Sequence, residues 1–245
     1  VQNHVLQIVS FLYMDEPKSN DSNAIRKVKV EALKDKEIIN KDNINHNFVR
    51  GQYSSSKDDL DILDYVSEHE VDPDSTVETF VAGKIESTHE NWKGVPLYIR
   101  TGKRMKAKKT QIDIVFKNDA TTFFPAQKVK ENVLSIHIGP DEGLSLQLNN
   151  KKIGHAFEIE PIHLTYQPSA DAPEDYERLI LSALTGDKTN FVHWDELAES
   201  WKYIDSIREA WTNADSPLYL YEANTNGPKE ANELLENDNN YWIWN

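Results

Sequence analysis

Val133-Leu-Ser-Ile-His-Ile138 and Leu144-Ser-Leu-Gln-Leu148 are separated only by Gly139-Pro-Asp-Glu-Gly143. In both, apolar and polar residues alternate, the period that sends every second side chain of a strand to one face. Working outward, the same kind of short segment recurs. Phe48-Val-Arg50, Thr79-Phe-Val-Ala-Gly-Lys-Ile85, Val95-Pro-Leu-Tyr-Ile-Arg100, Ile112-Asp-Ile-Val-Phe116 and Phe157-Glu-Ile-Glu-Pro-Ile-His-Leu164 are bounded by Gly, Pro, Asn or Asp. Strands in succession without intervening helices predict an antiparallel sheet with one face covered.

Helical periodicity brackets this middle. Val5, Ile8, Val9 and Leu12 make an apolar face that ends at Glu16-Pro17. Asp21 opens a second helix, with Ile25, Val28 and Leu33 inward and its Lys and Glu residues outward. A third, shorter helix is expected over 59–71. Asp171-Ala-Pro-Glu opens a long helix that Gly186 ends, and Trp194-Asp195 opens another with Leu197, Trp201, Ile204, Ile207 and Trp211 on one stripe. Pro228 to Asn237 reads as a short helix, and Tyr241-Trp-Ile-Trp244 as an extended end. The expected fold is α+β, a large, mainly antiparallel sheet with helices packed on one face, in a single domain over residues 1–245.

Composition narrows the function. A formal charge of −14 and a pI near 5.0 argue against general binding to nucleic acid or anionic membranes, which need a positive field. The absence of cysteine excludes disulfides and thiolate chemistry, and fits a reducing cytoplasm. No run approaches the ~20 apolar residues of a membrane span. No two of the nine glycines lie two positions apart, so neither a Rossmann fingerprint nor a phosphate-binding P-loop is present. The closest histidines, His155 and His163, match no helical metal-ligand spacing, and no metal is expected. The start at Val1, directly in a helix and without Met, reads as a cut inside a longer protein.

Arg100-Thr-Gly-Lys-Arg-Met-Lys-Ala-Lys-Lys109 runs against this background. It holds six cations and no acid, and setting it aside leaves −20 on the remainder. Two readings are open: a solvated loop protecting an edge strand, or a phosphate site. In the second, Gly102 allows a tight bend flanked by Lys103 and Lys108, whose ammonium groups suit a phosphate or sugar phosphate. His4, at the start of the first apolar helix face, is either a half-buried helix histidine or a general base. An RNA-binding strip is a further, minor reading.

Several segments together resemble the glucose-6-phosphate dehydrogenase family. They are Gln2-Asn-His-Val-Leu-Gln-Ile8, Met14-Asp-Glu-Pro-Lys18, Phe80-Val-Ala-Gly-Lys84, Trp92-Lys-Gly-Val-Pro-Leu-Tyr-Ile-Arg-Thr-Gly-Lys-Arg104, Tyr176-Glu-Arg-Leu-Ile180 and Gly227-Pro228. The resemblance runs the length of the chain and implies the C-terminal part of such an enzyme, without the N-terminal Rossmann domain that binds NADP. The parent would oxidise β-D-glucose 6-phosphate to 6-phosphoglucono-δ-lactone in the cytoplasm as a homodimer joined through the sheet, and this part alone would be inactive. The alternative is a non-catalytic sugar-phosphate-binding or assembly module of the same fold. The resemblance makes His4 the catalytic base and Lys103 and Lys108 substrate ligands. Some animal members hold a second, structural NADP through a Lys-x-x-x-Arg pair. The matching positions here are Lys109 and Asp113, so no structural NADP is expected.

Overall fold

The computed structural model describes residues 1–57, 59, 61–117, 129–154, 158–168 and 175–244. They fall into two compact units, Val1–Lys106 with Asp175–Asn245, and Ala107–Glu174.

In the first unit, helices α1 (His4–Tyr13), α2 (Ser22–Lys34) and α3 (Ile44–Asn47) lead into strand β1 (Phe48–Ser54). Strands β2 (Phe80–Ile85) and β3 (Leu97–Gly102) follow. Asp21 caps α2 as its sequence predicts, accepting from the backbone N–H of Asn23 and Ala24. The 59–71 segment departs from expectation, its described residues forming only a single 3-10 turn at Tyr65–Ser67. Its aspartates bond to nearby backbone instead: Asp59 accepts from Asp61 N and Asp64 from Ser55 N. Such local side-chain bonds compete with a helix.

The sheet is completed from far along the chain. Strand β8 (Leu218–Glu222) pairs in parallel with β1, giving the order β3-β2-β1-β8. Period-2 alternation divides the side chains between two cores. Phe48, Val81, Ile85 and Ile99 face Leu6, Val9, Tyr13, Leu33, Tyr203 and Ile207. Val49, Tyr53, Phe80, Ala82 and Tyr221 face Ala231, Leu234 and Leu235. The expected helical face is therefore occupied by α1, α2 and the long helix α5 (Trp194–Asn213), and the opposite face takes the short helix α6 (Glu230–Glu236). At the β1–β2 pair Gly83 opposes Phe48, whose ring lies where a Cβ would stand, 2.2 Å from it.

Both long helices are rotated from the predicted stripes. The buried face of α1 is Leu6, Val9, Ser10 and Tyr13. That of α5 is Glu196, Ser200, Tyr203, Ile207, Ala210 and Trp211, while Trp201 is exposed. Nor do all the lysines of α2 point outward. Lys29 is buried, with Nζ 2.5 Å from Glu196 Oε2, 2.9 Å from Gln7 Oε1 and 4.4 Å from the Phe11 ring centre. Lys36 is also buried, donating to Leu33 O and lying 4.6 Å from the Tyr203 ring centre. Burial brings its pKa down to about 8, with Glu199 and Asp35 pulling it back up.

The second unit is the predicted meander. Strands β4 (Thr110–Val115), β5 (Val133–Gly139), β6 (Gly143–Lys151) and β7 (Ile159–Tyr166) pair antiparallel in sequence order. Register puts Ile112, Ile136, Leu144 and Tyr166 in line across one face, and Ile114, Leu134, Leu146 and Leu164 in the next row. The described strands thus form two four-stranded sheets within the α+β class. Phe157, His155 and the 171–174 start of the long helix lie outside the described residues. Its described part is α4 (Asp175–Thr185), followed by Gly186 at φ 74°, the left-handed residue that ends helices.

Candidate functional site

The basic turn begins where β3 ends. Gly102 is not needed for a left-handed bend. A Cβ there would lie 2.8 Å from the Phe80 ring and 2.9 Å from Met105 Sδ, so close packing is what excludes a side chain. The left-handed residue of the turn is Arg104, at φ 50°.

The backbone of residues 103–106 is held from two directions. The Lys103 N–H donates to Thr79 O at 2.8 Å, and its carbonyl accepts from the Tyr221 hydroxyl at 2.7 Å. Asn224 N donates to Arg104 O at 2.8 Å, and Lys106 N donates to Thr225 O at 2.9 Å. Sequence reasoning passed over β8 and the loop after it. The signal available was the alternation in Leu218-Tyr-Leu-Tyr-Glu222.

Three of the six cations are occupied. The Arg100 guanidinium lies 4.5 Å from the Trp242 ring centre and 5.2 Å from that of Trp244, and donates to Trp244 O at 2.7 Å. Burial lowers its pKa. Arg104 pairs with Glu68 at 3.5 Å, and Lys109 donates to Gln111 Oε1 at 3.1 Å. Nearby on β2 and β3, Lys84 pairs with Asp238 at 2.9 Å, and Asp238 also accepts from the Tyr98 hydroxyl. Burial, with that bond, pushes the Tyr98 phenol up to about 12. The remaining three, Lys103, Lys106 and Lys108, are exposed, and their ammonium groups have no ion-pair or hydrogen-bond partner among the described residues. Lys108 belongs to the second unit, Lys103 to the first.

His4 is the first residue of α1 and is exposed. Among the described residues no group of His, Asp or Glu is arranged to hold a metal ion, and no helix is long and apolar enough to cross a membrane. His163 is exposed on the polar face of β7.

In this α+β module a backbone-clamped turn carries exposed ammonium groups, the kind of group that can hold a small anion. Comparison with known proteins makes this particular: the chain belongs to the family "Glucose-6-phosphate dehydrogenase, C-terminal domain", whose model matches residues 1–243. It is 44% identical over 252 residues to the glucose-6-phosphate 1-dehydrogenase of Bacillus subtilis, spanning all of this chain and 51% of the relative. The Leuconostoc mesenteroides enzyme is 37% identical over 248 residues, again across all of this chain and 51% of the relative. The chain thus spans about half the length of the curated relatives it matches. A solved glucose-6-phosphate dehydrogenase in complex with its substrate glucose-6-phosphate superposes with a TM-score of 0.87 at 34% identity, covering all of this chain and 50% of that one.

Proposed function

We propose that this chain is the substrate-binding half of an enzyme that oxidises β-D-glucose 6-phosphate to 6-phosphoglucono-δ-lactone. The supporting observation is the selective vacancy of the basic turn. Arg100, Arg104 and Lys109 are engaged, while Lys103, Lys106 and Lys108 carry exposed ammonium groups, and the family resemblance singles out Lys103 and Lys108 among these three. In this reading Lys103 and Lys108 bind the sugar phosphate, and His4 accepts the C1 hydroxyl proton as the C1–H bond breaks and the C1=O bond forms. NADP, bound by the preceding half, supplies the hydride acceptor.

The second sheet supports a homodimer. Its apolar face leaves Leu144, Ile162, Leu164 and Tyr166 exposed, a surface suited to a second copy. The absence of cysteine and the acidic composition suit a cytoplasmic enzyme. Asp113 accepts from Gln111 Nε2 at 2.5 Å and Ser135 Oγ at 2.6 Å, and by the family resemblance it stands in sequence where the structural-NADP members carry an arginine. No structural NADP is bound in this reading, and ordered NADP beside Asp113 would refute that.

The deciding experiment uses the full-length protein that carries this chain. Lys103→Ala and Lys108→Ala should each raise KM for glucose 6-phosphate about 10- to 100-fold, the loss of one charge-assisted hydrogen bond. His4→Asn should cost kcat with substrate affinity retained. Wild-type affinity in both lysine variants would defeat the assignment.

A further inference from the structure

We infer that Tyr221 is a positioning residue for substrate binding, fixing the Lys103 carbonyl so that the ammonium group stands where the substrate phosphate docks. The inference rests on Lys103 being a substrate ligand, as proposed above. A phenol has one proton to give. At 2.7 Å Lys103 O is the close acceptor, so the Tyr221 oxygen receives from Thr79 Oγ1, 3.2 Å away. Thr79 Oγ1 in turn accepts from the Tyr53 N–H at 3.0 Å. A relay therefore runs from the β1 backbone through Thr79 and Tyr221 to the turn. The Thr79 carbonyl closes it by accepting the Lys103 N–H at 2.8 Å. Both peptide groups of Lys103 are thus tied to one Thr79–Tyr221 pair.

The relay is stiff for identifiable reasons. The Tyr221 side chain is buried and packs on Phe80, with ring centres 5.3 Å apart. Burial raises its phenol pKa, so it remains a donor at neutral pH. Lysine carries its charge on a flexible four-carbon stem, so what the protein fixes is the anchor of that stem. A displacement of about 1 Å at a binding group is enough to change the rate or affinity markedly.

The test compares Tyr221→Phe, Lys103→Ala and the double variant in the full-length protein. The phenylalanine keeps the buried ring and loses only the hydroxyl. KM for glucose 6-phosphate should rise about 5- to 10-fold, with kcat and KM for NADP within twofold. In the Lys103→Ala background the same change should add nothing, since the two act through one group. Hydrogen exchange at the Lys103 amide, read without ligand, should quicken in Tyr221→Phe. A raised KM in Lys103→Ala with unchanged KM in Tyr221→Phe overturns the positioning role. Quickened exchange with wild-type KM in both single variants defeats the substrate assignment instead. Should Tyr221→Phe fail to fold, Thr79→Ala, which removes the hydroxyl behind it, must show the same selective rise in KM, and an unchanged value refutes the inference.

Discussion

Removing the carboxylate of Glu196 should destabilise the protein far more than its place on a solvent-facing helix pattern suggests. Its side chain is 2% exposed and that of Lys29 6%, with 2.5 Å between charges, so this pair joins α5 to α2 out of water. Lys29 gives an aligned hydrogen bond to Gln7 Oε1, whereas Glu196 Oε2 has no aligned donor. The carboxylate therefore receives Coulomb attraction but incomplete hydrogen bonding, a geometry in which desolvation offsets most of the gain. Glu196→Ala leaves a buried ammonium group uncompensated and should cost about 3–5 kcal/mol. Lys29→Met with Glu196→Leu removes both charges and fills the space, and should lie within about 1 kcal/mol of wild type or above it. Urea unfolding followed by tryptophan fluorescence measures both variants against wild type, with m constant if the folded state is intact. A cost below about 1 kcal/mol for Glu196→Ala, the range of an exposed pair, would refute the reasoning. So would a double variant that loses as much stability as Glu196→Ala.

Three further outcomes follow. Lys36 has its folded pKa brought down to about 8 from 10.5, so between those values the unfolded chain binds more protons and stability rises with pH. Lys36→Met should be more stable than wild type by about 3 kcal/mol at pH 7, and pH-dependent thermal unfolding should show the gap closing between pH 8 and 10.5. Gly83→Ala drives a methyl group into the Phe48 ring, 2.2 Å away in a buried strand pair, and should cost about 1–3 kcal/mol or more by denaturant titration. The 245-residue chain on its own should give no glucose 6-phosphate-dependent NADP reduction at 340 nm, and measurable turnover would contradict its reading as one half of the enzyme.

The meander of β4 to β7 was legible because each strand is polar on one face and finds its partner next in sequence, so periodicity alone carries the information. β8 was not, since five residues pairing in parallel with β1 depend on a neighbour about 168 positions away. The helices were legible as helices, but their orientation was not. Trp201 suggested a buried position by its chemistry, yet the sheet takes Tyr203 against Phe48, with ring centres 6.4 Å apart, and turns Glu196 and Ser200 inward. In the candidate site, Lys103, Lys108 and His4 stood out by charge, spacing and resemblance. Which cations are already occupied depends on Glu68, Trp242 and Trp244, and none of those is local to the turn.

The clamp on Lys103 has a consequence for synthesis. Tyr221 follows Lys103 by 118 residues, and the whole second unit, Ala107–Glu174, is translated between them. At roughly 5–20 residues per second, the ribosome needs about 6–24 seconds to deliver the strand that closes the turn. The inserted meander pairs only adjacent strands, which are the contacts that form soonest. A nascent chain therefore possesses the partners of the second sheet well before it possesses a clamped basic turn, and translation that stops short of residue 221 leaves β1 without its parallel neighbour and the Lys103 carbonyl without its donor.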